Sequence, residues 1–256
     1  MLLMSVLIVC AASGSATAEP LESYLLPGID IRSADLTPGK WCRYLVVDSA
    51  EGMVDSSTVY VAVLGTEEVD GKEAFWLELE SNPMRGDSGG RNVTRVLISS
   101  DIKQLALGDS LYPYVRRLYI KRGTEPAEPA DPRDLQRLTL TRPTSDQDWI
   151  RHPNVPVVTP LGPLVCERRE LIVNERREVP AGRVTVIQKK EDRFVIWSSE
   201  EVPVFGLARC EIERMRESRT VPEMPGIPQA GPRRSRVTTM ILGYGSDATP
   251  IIVLDK

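Results

Sequence analysis

Short runs in which apolar and polar residues alternate recur along most of this chain. In residues 73–80, EAFWLELE, the side chains of Phe75, Leu77 and Leu79 fall on one face, and Trp76 and two glutamates fall on the other. Alternation with a period of two is typical of a half-buried β-strand. Comparable runs predict about ten strands, at residues 41–47, 57–64, 73–80, 93–99, 115–121, 163–173, 183–189, 193–198, 207–215 and 237–244.

Tight turns separate several of these runs. Asp70 and Gly71 stand between two strand-like segments, and Asp-Gly is typical of the two-residue type I′ hairpin. Residues 179–182 (VPAG) and 190–192 (KED) are predicted to be further turns. Most strands would then pair with their neighbours along the chain. This favours a mainly β protein with an antiparallel sheet in up-and-down order, because parallel strands need long crossover connections.

Helical patterns are short, and the proline-rich stretches are irregular. Residues 101–107 and 131–138 each begin with Asp, a favoured N-cap, and neither exceeds about three turns. Residues 123–132 and 216–236 are rich in proline and are predicted to be exposed loops.

A third proline-rich stretch, residues 143–163, contains Trp149, which would pin it to the core. This stretch either divides the chain into halves or is an insertion in one curved sheet. We favour a single domain over residues 19–256, because neither half has enough strands to close a core.

The first residues predict export. Leu2 to Ala12 is an apolar run without charge, and small residues follow up to Ala18, which is the layout of a secretory signal peptide cleaved after residue 18. No Lys or Arg precedes the run, although one is usual. The run is short for a membrane span, which needs roughly 20 residues. Lipidation of Cys10 is the alternative, but Val9 is not the small residue expected before it. The mature chain is therefore predicted to be periplasmic or extracellular.

Composition and charge narrow the function classes. The net charge of −4 at pH 7 lacks the basic surplus of nucleic-acid-binding proteins, so we expect no nucleic-acid partner. His152 is the single histidine, which rules out a histidine-cluster metal site in a monomer. Its proline-rich surroundings predict a loop histidine, not a catalytic base. We expect a monomer without a cofactor or an enzymatic activity.

Three cysteines remain after the predicted cleavage: Cys42, Cys166 and Cys210. Their spacing fits no zinc site, and the chain has no C-x-x-C motif. An odd number allows at most one internal disulfide in an exported protein. Cys166 and Cys210 both lie in strand-like runs, and we favour that pair.

Residues 86–90, GDSGG, resemble the sequence around the nucleophile of trypsin-like serine proteases. Ser88 would then need a general base, but the only histidine follows it by 64 residues and in a different context. A glycine-rich loop between two strands is the better interpretation. A hydrolase that uses Ser88 remains the least favoured hypothesis.

Paired charged residues favour a solvated surface over a reactive site. Glu78 and Glu80 lie on the polar face of an alternating run, whereas a general acid usually needs burial. Pairs of adjacent arginines begin at positions 116, 168, 176 and 233. Lipid head groups could bind there, but a solvated face of ion pairs is the interpretation we favour.

The aromatic residues lie in strands that are apolar on both faces, as in Phe75-Trp76-Leu77 and Val195-Ile196-Trp197. Such a sheet either has other parts of the protein packed on both faces, or it curves and encloses a hollow. Ordinary core packing is one interpretation. The other is a hollow that takes an acyl chain, lined by Trp76, Trp197, Phe194 and Tyr119.

Several segments resemble a group of exported bacterial proteins. They are Pro38–Tyr44, Val179–Val184, Trp197–Leu207 and Leu242–Gly245. This group is in turn similar to LolA- and LolB-type lipoprotein carriers. The resemblance implies a strongly bent antiparallel sheet, an unclosed barrel whose concave side is covered by short helices and loops, and a lipid or lipoprotein ligand. It carries over no catalytic residue.

Two functions follow from these observations. The first is an exported envelope or periplasmic protein that binds an apolar ligand, such as a lipid or the acyl chain of a lipoprotein, without catalysis. The alternative is a structural or assembly subunit of an envelope complex, with residues 123–132 and 216–236 as arms that bind a protein partner.

Overall fold

Eleven β-strands form one antiparallel sheet in this computed structural model, which describes residues 34–84, 91–104, 112–131, 149–181, 184–221 and 230–253. The strands are β1 (Trp41–Ala50), β2 (Met53–Val69), β3 (Lys72–Pro83), β4 (Asn92–Ser99), β5 (Val115–Arg122), β6 (Glu128–Pro129), β7 (Ile150–Thr159), β8 (Gly162–Ala181), β9 (Val184–Ser198), β10 (Leu207–Val221) and β11 (Ala230–Gly245). Among the described residues, two short 3-10 helices span Ser100–Gln104 and Tyr112–Tyr114.

The strand order is β6-β5-β4-β3-β2-β1-β11-β10-β9-β8-β7. Every neighbouring pair is also consecutive along the chain, except β1 and β11. The first and last strands therefore pair in the middle of the sheet, and β6 and β7 are its two edges. The mainly β, antiparallel, unclosed sheet predicted from the sequence is confirmed. The proline-rich stretch after residue 129 connects the two edges.

The predicted hairpin at Asp70-Gly71 is confirmed. Val69 pairs with Lys72, and the two residues between them have φ angles of 53° and 73°. Positive φ at both central positions is what a type I′ turn requires.

The turn predicted at residues 190–192 is wrong, because β9 runs through them without a break. Lys190 lies 3.4 Å from the carboxylate of Glu175 in β8, and Asp192 lies 2.6 Å from Arg216 in β10. Partners on both neighbouring strands therefore hold the charged tripeptide in the sheet.

Two predicted loops are partly strand. β10 extends to Val221 and β11 begins at Ala230, so residues 216–221 and 230–236 of the loop expected over 216–236 are strand, and residues 222–229 lie outside the described residues. His152 lies exposed on β7, opposite Arg168, and not in a loop. β7 is an edge strand and contains Pro153 and Pro156. An edge strand tolerates proline because one of its sides makes no ladder hydrogen bonds.

The remaining helix predictions are only partly covered. The segment expected at 101–107 is a 3-10 helix that ends at Gln104, and nearly all of 131–138 lies outside the described residues. None of the helices in the described part of the chain has the length and apolar composition that a membrane span requires.

The sheet is strongly bent. Cα atoms of β7 and β11 approach within 8 Å although three strands lie between them. In a flat sheet the same four steps would span about 19 Å. We call the face that carries the main hydrophobic core the inner face. Its members include Tyr44, Val61, Leu79, Val96, Leu118, Ile196, Cys210 and Ile241.

Non-strand segments cover part of this core. Ala34 and Leu36 before β1 belong to it, as do Val202, Val204 and Phe205 between β9 and β10. The two segments are joined where the Asp35 amide donates to the carbonyl of Val204 at 2.7 Å. We call residues 199–206 the cover loop.

The outer face has two different surfaces. Over β2 to β5 it carries a small second cluster of Ala74, Trp76 and Leu97. Over β8 to β11 it carries ion pairs, for example Arg193 with Glu170 at 2.8 Å. The guanidinium of Arg193 donates to Glu170 and holds the pKa of that carboxyl below its usual value.

Candidate functional site

The structure separates the four aromatic residues that were predicted to line one hollow. Trp76 and Tyr119 lie together on the outer face, with ring centroids 6.1 Å apart. Phe194 and Trp197 of β9 both pack against the main core.

Trp197 lies between two guanidinium groups. The Cζ atom of Arg209 is 5.3 Å from its ring centroid and that of Arg168 is 5.8 Å away. Trp76 and Trp197 are five strand steps apart, which corresponds to about 24 Å along the sheet. The structure therefore divides the four side chains into two pairs: Trp76 and Tyr119 lie in the outer cluster, and Phe194 and Trp197 lie against the main core.

A second set of apolar side chains packs against the main core at separate points along the inner face. Val46, Ile120, Phe194 and Tyr244 are half-buried and pack against the main core from β1, β5, β9 and β11. We call these four residues the apolar rim. A half-buried apolar side chain beside a buried core provides surface on which a further apolar group can pack.

Trp149 also packs against this core, as the sequence predicted. The guanidinium of Arg169 lies over its ring, with Cζ 5.9 Å from the centroid. The arginine pair 168–169 is therefore split, because Arg168 forms an ion pair with Glu170 at 2.5 Å. The expected ion pair is present for Arg168, but its side chain is only 24% exposed and so is not the solvated group that was predicted, and Arg169 contacts an aromatic ring.

The disulfide predicted between Cys166 and Cys210 is absent. Both residues and Cys42 are free, buried thiols. Cys166 is in β8 and Cys210 in β10, so one strand separates them by about 9–10 Å, beyond the roughly 7 Å that a disulfide spans. Burial raises the pKa of Cys42 and of Cys210 to about 12, so neither is a reactive thiolate near neutral pH.

Glu78 is a buried carboxyl group that the sequence pattern placed in solvent. Its relative exposure is 0%, and its two carboxylate oxygens accept the backbone amides of Ile251 at 2.7 Å and Ile252 at 2.9 Å. Burial raises its pKa above the usual value, against the effect of the two backbone amides. Glu80 is nearly buried as well, and forms an ion pair with Arg91 at 2.5 Å. The expectation that this pair is solvated is wrong.

The residues after β11 provide the cover over Glu78. We call Ser246–Val253 the C-terminal strap. The Trp41 indole donates to Asp247 at 2.7 Å, and Arg95 donates to the carbonyl of Ile252 at 2.6 Å. Ile252 itself is 1% exposed. The strap thus crosses the outer face from β11 to β4, which no alternation within single strands could reveal.

A close approach at the start of the strap requires glycine. The Trp41 ring lies over Gly243 and Gly245 of β11, and a Cβ atom on Gly245 would stand 2.7 Å from the indole nitrogen. Any larger residue would push Trp41 off the sheet and away from Asp247. The predicted resemblance segment Leu242–Gly245 therefore has a packing role.

Other predicted features cannot be assigned to a site. No group of three His, Cys, Asp or Glu residues that could hold a metal ion occurs among the described residues. Ser88 with the rest of GDSGG, the predicted signal peptide and Cys10 lie outside the described residues.

Comparisons with known proteins give no family for this chain. No protein-family model and no curated protein matches it. Among solved structures, it is similar to a candidate lipoprotein from Parabacteroides distasonis, at 12% identity and a TM-score of 0.33, over 83% of this chain and 97% of that one. It is also similar to a DUF1329 family protein from Desulfovibrio piger, at 10% identity and a TM-score of 0.26, over 81% of this chain and 85% of that one. The fold of this chain follows from its strand pairing and not from its similarity to these two structures.

Proposed function

We propose that this chain is an exported envelope or periplasmic protein that binds an apolar ligand, such as a lipid or the acyl chain of a lipoprotein, without catalysis. The observation that supports it is the bent sheet whose inner face is apolar from β5 to β10 and continues into the half-buried apolar rim. An acyl chain would pack there by removing apolar surface from water, at about 25 cal/mol per Å².

The segments that cover the inner face could exchange their apolar contacts with the core for those of a ligand. The cover loop is attached to the segment before β1 through the Asp35–Val204 hydrogen bond, and its Pro203 carbonyl accepts the Cys42 thiol at 3.0 Å. These few polar contacts hold apolar side chains over the core. A ligand chain that took the place of Val202 or Phe205 would restore the buried apolar contacts.

Neighbouring residues of β5 provide a matched test. Ile120 lies on the inner face and Tyr119 on the outer face, and both are half-buried. We expect wild type to bind a dansyl-labelled fatty acid with enhanced fluorescence. Ile120→Asp should weaken this binding at least about tenfold, because a carboxylate would be placed against an apolar ligand. Tyr119→Asp should leave it within about twofold.

Urea unfolding of each variant separates lost binding from lost folding, and Phe194→Asp provides a second substitution of the apolar rim. Native mass spectrometry of gently purified protein checks for lipid that copurifies. Wild type without probe fluorescence and without copurifying lipid would refute the proposal. Equal loss of binding in Ile120→Asp and Tyr119→Asp would remove the inner face as the site.

The alternative function, a subunit of an envelope assembly, is supported by a different observation. Edge strand β7 exposes Ile150 at 60% and Val158 at 80%, and Val165 beside it on β8 is 58% exposed. Under this alternative, Val158→Asp should remove a specific partner from cross-linked envelope fractions. An unchanged set of cross-linked partners would count against it.

A further inference from the structure

The inner face changes from apolar to cationic along β8 to β11. On β9 the inner-face positions run from Ile196 and Phe194 through Asp192 to Lys190. Phe194 and Lys190 are four positions apart, which corresponds to about 13 Å along a strand. Phe194, the apolar-rim residue on β9, therefore lies on the same face as a charged surface.

That charged surface is a groove of about 610 Å³ formed by the far ends of four strands. Among the described residues that line it, Arg177, Lys190, Arg216, Arg233 and Glu175 belong to the inner-face rows, whereas register places Lys189 and Glu217 in the row of Arg176 on the opposite face. We call this the cationic groove. Its excess of positive charge contrasts with the negative charge of the whole chain.

Strand alternation sorts the adjacent arginines of the sequence between the two faces. Strand register places Arg177 in the row of Gln188 and Ser218, and places Arg233 in the row of Arg216 and Lys190. Their sequence neighbours, Arg176 and Arg234, then lie on the outer face. One arginine of each pair thus belongs to the cationic groove.

Two carboxylates, Glu175 in the groove and Asp192 next to it on β9, are already shared among several cations. Asp192 binds both Lys190, at 3.1 Å, and Arg216, at 2.6 Å. Glu175 lies 3.4 Å from Lys190 and 3.7 Å from Arg177.

The two outermost arginines are weakly held. Arg177 keeps 75% of its side chain exposed. Arg233, 3.3 Å from Glu51, keeps 73% exposed. Exposed ion pairs of this kind contribute little to stability, so these guanidinium groups are available to an incoming anion.

We infer that the cationic groove binds the anionic head group of an amphiphile whose hydrocarbon chain packs on the inner face against Phe194 of the apolar rim. This inference depends on the proposed function, and it restricts the ligand class from apolar molecules in general to anionic amphiphiles. Phe194 and Lys190 lie on the same face of β9, about 13 Å apart, so one amphiphile can contact both. Arginine suits the role because its planar fork matches carboxylate and phosphate oxygens.

The test compares two ligands that share a chain but differ in charge. Displacement of a dansyl-labelled fatty acid is measured with oleate and with oleyl alcohol, for wild type and for the double variant Arg177→Gln/Arg233→Gln. Wild type should bind oleate about five- to tenfold more tightly than oleyl alcohol. The double variant should lose that preference and keep its affinity for oleyl alcohol.

The matched control is Arg176→Gln/Arg234→Gln, which removes the same charge from the outer face. It should retain the preference for oleate. The preference should also weaken in wild type as salt rises from 0.1 M to 1 M, because the screening length falls from about 10 Å to about 3 Å. Acetate, which carries the charge without the chain, should leave the probe in place.

The outcomes distinguish the two proposals. Equal affinity of wild type for oleate and oleyl alcohol would overturn the head-group site while leaving the apolar site intact. Equal loss of preference in both double variants would also overturn it, because a general charge effect would then explain the result. Binding of neither ligand would refute the proposed function itself.

Discussion

At the scale of single residues, Glu78 shows how a charged side chain can become part of a covered surface. Its strand alternates as a half-buried strand should, and the polar face of such a strand normally meets water. Here that face lies under the C-terminal strap, and the two carboxylate oxygens satisfy two backbone amides that would otherwise be buried without a partner. The desolvation of Glu78 is thereby partly offset.

Removing this carboxyl group should cost stability. Glu78→Ala leaves the amides of Ile251 and Ile252 without acceptors, and we expect the free energy of unfolding to fall by about 2–4 kcal/mol. Urea titration measures the change. Glu73→Ala, an exposed position on the same strand, should change it by less than about 0.5 kcal/mol. Similar effects of both substitutions would contradict the role assigned to Glu78.

The raised pKa of Glu78 also predicts a pH dependence. Because the folded state holds this proton more tightly than the unfolded chain, stability from this group is greatest below the unfolded pKa. It falls as pH rises from there towards the folded pKa. Glu78→Gln should remove that component, so the difference between its unfolding free energy and that of wild type should vary with pH over this window. A constant difference would contradict the shift.

At the scale of elements, the strap is an independent source of stability on the outer face. Ile252 is 1% exposed, whereas Val253 beside it is 79% exposed. Ile252→Ala should therefore lower the free energy of unfolding by about 2–5 kcal/mol, and Val253→Ala by less than about 0.5 kcal/mol, in urea titrations. Probe binding should be unchanged in both variants. Lost probe binding in a folded Ile252→Ala protein would place the site on the wrong face.

Two predicted turns show which local sequence signals are sufficient to predict a hairpin. The Asp70-Gly71 hairpin was predictable because positive φ at two adjacent positions is a property of those residues themselves. The charged run at Lys190–Asp192 was misleading because the partners that keep it extended, Glu175 and Arg216, are distant in sequence. Composition alone could not distinguish a turn from a strand whose charges are paired across the sheet.

At the scale of the whole molecule, the strand order makes the middle of the sheet depend on both ends of the described chain. β1 lies between β2 and β11, so its loss would divide the sheet rather than shorten it. A chain that begins at Met53 should show no cooperative unfolding transition in urea. A chain that begins at residue 34, which keeps every described strand, should unfold cooperatively. A cooperative transition in the chain without β1 would contradict this order as the basis of stability.

The same order marks the limit of what the sequence could predict. Nine of the ten strand pairs join consecutive strands. The tenth joins β1 to β11 at the centre, and the consecutive strands β6 and β7 do not pair. Hairpins were accessible from local turns, but the closure between the ends was not. The apolar content of the inner face was predictable, whereas the assignment of Trp76 and Phe194 to opposite faces needed the register of the whole sheet.

The irregularity where β1 meets β11 has a consequence for how this protein can vary. Arg43 pairs with Gly243 and the next residue, Tyr44, pairs with Ile241, so Leu242 is an extra residue in the ladder. Removing it would shift the strand pairing on one side of this position by one residue. The side chains there would then exchange the apolar and the solvent-exposed face. Insertions and deletions in the hairpin turns should therefore be tolerated during evolution. Deletion of this single residue should be selected against as strongly as the loss of a strand.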